Sequence, residues 1–114
     1  PDVIVDPQQL DQIFINLLIN AQMAMPEGGS ITINASSSRQ QKRIKISLED
    51  TGCGIAPEHL PTIFDPFFTT RGPNKGTGLG LSIVYTLVKA NNGSIEARSI
   101  LNKGSTFTIF LPMA

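Results

Sequence analysis

The spacing of apolar residues switches between two periods along this chain, and that switching constrains the fold more than any other feature. From Leu10 onward, Ile13, Phe14, Leu17, Leu18 and Ala21 recur at helical spacing. Asp6 suits the cap of that helix, Pro7 its first position, and Gln9 stands three past the cap, as in a capping box. Pro26 and the Gly28–Gly29 pair end it. The period then drops to two. Ile31, Ile33 and Ala35 alternate with polar residues, as do Ile44, Ile46 and Leu48 beyond the polar stretch SSSRQQK. This predicts an antiparallel hairpin with one apolar face. After an irregular, glycine- and proline-rich connection, with Pro57 placed to open a short helix, comes a second helical run, LSIVYTLVKANN, whose expected stripe is Leu79, just before the run, with Ile83 and Leu87. Asn91, Asn92 and Gly93 stop it. Ile95 and Ala97, then Phe107, Ile109 and Leu111, return to period two, with Asn102, Lys103 and Gly104 as the turn. The order helix, two strands, loop, helix, two strands predicts two layers, a mainly antiparallel sheet with helices on one face.

At 114 residues the chain has room for one domain and one modest core. Nine basic residues balance nine acidic ones, so nothing points to a nucleic-acid-binding or acidic tail. The lone Cys53 excludes a disulfide framework within the chain and fits a reducing compartment. No apolar run approaches the length of a membrane-crossing helix, and no signal-peptide pattern is present. The start at Pro1 reads as a cut from a larger protein.

Three polar features interrupt the apolar pattern. Asn16 and Asn20 stand four apart, on one face of the first helix, inside an apolar run. Asparagine competes with the helix backbone for hydrogen bonds, so the pair marks either a solvent edge or a polar site. An amide oxygen is a neutral ligand for a hard cation such as Mg2+. Asp50 ends an apolar strand just before Thr51–Gly52, either as a turn residue or as an acceptor for an amino group. The stretch KGTGLGL at 75–81 puts a lysine before glycines at 76, 78 and 80. Walker A needs the lysine after the glycines, and the dinucleotide fingerprint needs a different spacing, so both patterns fail. No protein-kinase catalytic segment accompanies it. Free N–H groups at a helix start still bind anions, and glycines let backbone approach closely. The FDPFF run, with Phe64, Phe67 and Phe68 around Pro66, suits core packing, anchorage of a lid, or both. The single histidine, His59, falls on an expected surface turn and lacks the carboxylate setting of a phospho-acceptor.

With these residues in place, the chain resembles the catalytic ATP-binding domain of sensor histidine kinases, within the superfamily of DNA gyrase, Hsp90 and MutL. NLLINA at 16–21 resembles the N box and DTGCGI at 50–55 the G1 box. FDPFF at 64–68 resembles the F box, GTGLGL at 76–81 the G2 box, and GSTFTIFLP at 104–112 the closing strand. The wording from FFTT to GTGLGLSI is similar to nitrogen-regulation kinases. The resemblance spans essentially the whole chain and implies a two-layer α/β sandwich of the Bergerat type. Its mixed, mostly antiparallel sheet would have about five strands, packed against about three helices. ATP and Mg2+ are the implied cofactors. Asn20 would hold Mg2+ against the phosphates, and Asn16 would support that region. Asp50 would bind the adenine amino group, with Gly52 and Gly54 letting the base seat. Gly76, Gly78 and Gly80 would shape the end of a lid, and Lys75 and Arg71 would offset phosphate charge. Thr77, Leu79, Ile55, Phe68 and Thr106 complete the implied binding set. The chain departs from the family at Met23, where many members carry a basic residue.

The resemblance also bears on the reaction. In the gyrase and Hsp90 branches a glutamate four residues before the metal-binding asparagine activates water. Asn16 occupies that position and cannot act as a base. The implied function is therefore transfer of the ATP γ-phosphoryl group to a histidine. That histidine would lie on a separate helical dimerisation domain of the same protein, with a response-regulator receiver domain downstream. Residues 1–114 would form one catalytic domain lacking the acceptor, part of a homodimeric full-length protein, working in the cytoplasm and without nucleic acid. Asn16, Asn20 and Lys75 would serve the transfer. An ATPase switch of the gyrase or Hsp90 kind, a serine kinase of the same fold and a non-enzymatic module remain as alternatives.

Overall fold

The computed structural model describes residues 6–65 and 80–112. Helix α1 spans Pro7–Ala24, where the apolar spacing places it. The Asp6 carboxylate accepts from the backbone N–H groups of Gln8 at 2.9 Å and Gln9 at 3.4 Å, satisfying two donors that the helix itself leaves open. Gln9 does not close a capping box. Its Oε1 instead accepts from Asn91 Nδ2 at 2.7 Å, and the Asp6 N–H donates to Asn91 Oδ1 at 3.2 Å. A residue from the far end of the second helix thus does the capping-box work.

Strands β1 (Ile31–Ser38) and β2 (Arg43–Asp50) form the expected antiparallel hairpin. Next comes a hydrogen-bonded turn and a short 3-10 segment, Leu60–Thr62, so the short helix begins three residues beyond Pro57. His59 lies on the expected turn, at the N-cap position of this segment but without a side-chain capping bond, and is half-buried. Helix α2 covers Gly80–Ala90. Asn92, at φ +62°, ends it in a left-handed turn. The N–H groups of Gly93 and Asn92 donate back to the carbonyls of Val88 and Lys89 at 2.9 and 3.1 Å, the double closure of a Schellman motif. Strands β3 (Ser94–Ile100) and β4 (Gly104–Pro112) follow.

The strands lie in the order β1-β2-β4-β3, and every neighbouring pair is antiparallel. On the inner face Leu48 sits beside Phe107, Ile46 beside Ile109 and Ile44 beside Leu111. Ala97 and Ile95 extend the first two rows onto β3. Ile13, Leu17 and Ala21 of α1 and Val84 and Val88 of α2 close over these rows in one core. Each large side chain so buried contributes about 1.5–3 kcal/mol of transfer free energy. This is the expected two-layer sandwich, with four strands rather than about five, and two α-helices and the short 3-10 helix, among the described residues.

Two stripes differ from expectation. In α2 the core takes Leu81, Val84 and Val88, flanked by Leu87, while Ile83 is 38% exposed. Steps of four residues drift around a helix by about 40° each, so an i, i+4, i+8 stripe leaves the interface, whereas steps of three and four alternately hold one side. Leu79, the third member of the expected stripe, lies outside the described residues. In α1 Leu18 is likewise exposed, while Ala24 joins the core. The apolar face of β1 stays open as well, with Ile33 51% exposed, because β1 is an edge strand beyond the reach of the helix layer. None of the described helices is long and apolar enough to cross a membrane.

Candidate nucleotide site

The inner face of the sheet is apolar until its last row, where it turns polar. That row holds Asp50 on β2, Ser105 on β4 and Ser99 on β3, paired in register. Asp50 is 2% exposed and Ser105 5%. Burying a carboxylate is costly unless hydrogen bonds compensate. Half of Asp50 is compensated, because its Oδ1 accepts from the Gly52 N–H at 2.8 Å, an Asx turn set by the Asp-Thr-Gly spacing. Its Oδ2 is buried with no hydrogen-bond partner among the described residues. A buried acceptor left open in this way calls for a donor from outside the described residues.

The loop that follows is pinned on both sides. The Cys53 N–H donates to the Ala24 carbonyl at the end of α1 at 3.0 Å, and its carbonyl accepts from the Asn102 N–H in the β3–β4 turn at 2.7 Å. The Ile55 N–H donates to Ser99 Oγ at 2.6 Å. A Cβ on Gly52 would lie 2.6 Å from the Ala24 carbonyl oxygen, so only glycine lets the loop close on α1. Gly54 adopts φ +72° and faces the Ile100 carbonyl. In the structure, then, these two glycines serve contact between segments of the chain.

Asn20 and Asn16 lie one and two turns before Ala24, on one flank of α1, and both are half-buried. Asn16 Nδ2 is buried and unpartnered among the described residues, a donor suited to an oxygen acceptor rather than to a cation. Met23 is half-buried on the same helix. The flank of α1 that carries Asn16 and Asn20 leads to Ala24, which holds the Cys53 loop, so α1 joins the segment that carries Asp50, Gly52, Gly54 and Ile55, and Gly80 opens α2. Thr106 does not join them. It belongs to the alternate set of β4, with Thr108 and Phe110, whereas Ser105 shares the inner face with Asp50. Phe68, Arg71, Lys75, Gly76, Thr77, Gly78 and Leu79 lie outside the described residues, as do Pro66 and Phe67. Phe64, just before them, is fixed in the core, stacked on Tyr85 at 5.6 Å and edge-on to Phe107 at 6.4 Å.

Ser99 and Ser105 are the residues that sequence reasoning missed. Their signal was present, because each continues an apolar period-two face, Ile95–Ala97 and Phe107–Ile109–Leu111, with a hydroxyl. Among the described residues no cluster of three or more His, Cys, Asp or Glu could hold a metal, so a cation here would rely on amide oxygens and on its ligand. A shallow cleft at the opposite end of the sheet, between Lys42–Arg43 and Asn92–Gly93, brings together no comparable open polar groups.

Comparison with known proteins agrees with this geometry. A family model described as "Histidine kinase-, DNA gyrase B-, and HSP90-like ATPase" matches residues 5–114. The sensor histidine kinase ZraS of Escherichia coli K12 is 43% identical over 113 residues, covering 99% of this chain but 23% of ZraS. The chain therefore spans less than a quarter of that relative. Among solved structures, the mycobacterial sensor histidine kinase MprB superposes with TM-score 0.85 at 28% identity, over 96% of this chain and 76% of that one. Full-length ShkA, solved in complex with AMPPNP, gives TM-score 0.79 at 33% identity, over 93% of this chain and 22% of that one.

Proposed function

The chain belongs to the histidine kinase-, DNA gyrase B- and HSP90-like ATPase family, and on that footing we propose that it is the ATP–Mg2+-binding catalytic domain of a sensor histidine kinase. Its task is to present the ATP γ-phosphoryl group to a histidine on a separate domain of the same protein. The observation that carries this reading is Asp50, a buried carboxylate with one oxygen spent on the Gly52 N–H and the other open among the described residues. An exocyclic amino group is the donor it suits, and adenine carries one. The bound nucleotide in the ShkA structure supports the same reading.

The other roles follow from chemistry. Asn16 offers an N–H donor to a phosphate oxygen, and Asn20 an amide oxygen to Mg2+. Mg2+, when bound, neutralises charge on the phosphates during in-line transfer. With Asn16 at the position where the ATPase branches carry a base, the protein positions ATP and leaves the attack to an imidazole that is already nucleophilic. Lys75 and Arg71 add positive charge near the phosphates, and Gly76, Gly78 and Gly80 supply backbone N–H groups. Downstream, a receiver domain would take the phosphoryl group.

Titration calorimetry of the 114-residue chain with ATP and Mg2+ tests the central assignment. Asp50→Asn replaces a charge-assisted acceptor with an amide and is expected to weaken ATP binding roughly 10- to 100-fold. Its circular dichroism should remain that of the wild type. An affinity unchanged by the substitution would remove Asp50 from the site.

A further inference from the structure

Ser99 lies behind Asp50 and Ser105 in the polar row and joins three separate segments. Its hydroxyl oxygen accepts from the Ile55 N–H at 2.6 Å. It lies 2.9 Å from the Gly104 carbonyl oxygen and 2.9 Å from Ser105 Oγ. A serine hydroxyl has one proton and two lone pairs. The carbonyl can only accept, so the Ser99 proton goes to Gly104. The N–H can only donate, so it takes one lone pair. The remaining contact must then be a donation from Ser105 to the last lone pair. Ser99 is saturated, and the Ser105 proton is committed away from Asp50.

Asp50 Oδ2 agrees with this count. Side chains facing each other across neighbouring antiparallel strands stand about 5 Å apart at Cβ, and Ser105 is the register partner of Asp50. A free serine proton would have an uncompensated buried carboxylate as its neighbour. Yet Oδ2 has no hydrogen-bond partner among the described residues. Two adjacent side chains therefore present acceptors only.

We propose that Ser99 is a positioning residue that fixes the hydrogen-bond polarity of the base pocket. By holding the Ser105 proton, it makes the Asp50–Ser105 pair select an exocyclic amino group and reject a carbonyl oxygen at the same place. The proposal rests on the adenine-nucleotide reading above. It assigns base discrimination to a residue that touches no ligand, and to a proton count spanning Ile55, Ser99, Gly104 and Ser105.

The test compares ATP with ITP, which carries a 6-oxo group in place of the 6-amino group, by calorimetry on the full chain. Wild type should prefer ATP. Ser99→Ala frees the Ser105 hydroxyl to turn and donate. The Kd ratio of ITP to ATP should then fall roughly 3- to 10-fold, about the worth of one neutral hydrogen bond. Ser99→Thr keeps the hydroxyl and should restore the wild-type ratio. A purely structural role would weaken both nucleotides together and leave the ratio unmoved, which would overturn the proposal. If Ser99→Ala does not fold, Ser105→Ala carries the same test. It leaves Ile55 and Gly104 paired with Ser99 and should also lower the ratio, and an unchanged ratio there is equally fatal. Wild type that selects ATP while the variants keep its ratio sinks this proposal alone. Wild type that binds neither nucleotide sinks the adenine reading and the proposal with it.

Discussion

Gly54 shows how a binding loop is held by what one residue lacks. Its φ of +72° is a left-handed conformation, and a Cβ there would run into the Ile100 carbonyl of the facing turn. Gly54→Ala should cost about 2 kcal/mol or more, combining left-handed strain with the clash. A lower urea midpoint at unchanged slope would register it. A midpoint within error of wild type would mean that the loop rearranges freely. At this scale the sequence was legible where a polar residue broke an apolar run. Asn16, Asn20 and Asp50 stand out in that way, and each is buried or half-buried in the structure. Ser105 was not picked out, and its neighbour Thr106 was taken instead. The polar residues themselves do not reveal which neighbour turns inward, but the apolar residues beyond them do, since Ser105 keeps the parity of Phe107, Ile109 and Leu111 and Thr106 does not.

Helices and strands were legible from spacing, and their partners were not. The spacing located α1 and α2 closely. It did not show that the Asn91 side chain would supply the N-terminal bonds of α1, because that contact joins residues 85 positions apart. Asn91 donates from Nδ2 to Gln9 Oε1 at 2.7 Å and to the Leu87 carbonyl at 2.8 Å, and accepts from the Asp6 N–H at 3.2 Å. Asn91→Ala removes all three bonds and should lower stability by about 1–2 kcal/mol. In a thermal melt this corresponds to a drop of roughly 4–8 °C per kcal/mol for a domain near this size. The Schellman closure of α2 uses backbone groups and should survive the change. Helical content that falls with the melting temperature would show that Asn91 does more than join the helices.

The layered architecture of the whole molecule was legible, since the alternation of periods leaves few ways to bury both kinds of element. The strand order was not. β2 pairs with β4, across a connection that contains α2 and β3, and that choice is made by complementary rows such as Leu48 beside Phe107 rather than by any local signal. The proposed phosphotransfer also belongs to this scale. The chain incubated alone with γ-labelled ATP and Mg2+ is expected to take up little label. Adding a helical domain that carries the histidine should produce strong, acid-labile label on that domain. Heavy labelling of the chain alone, or acid-stable label on the partner, would overturn the histidine-kinase reading. One further consequence comes from where the two helices are joined. Asn91 ties the last turn of α2 to the first turn of α1, whereas Gly80 opens α2 at the other end. Such a tie is a fulcrum. With α2 about 16 Å long for its 11 residues, a rotation of about 10° there swings the Gly80 end by ~3 Å. A small angular change that barely disturbs the joined ends is magnified into a full atomic diameter at the far end of the helix.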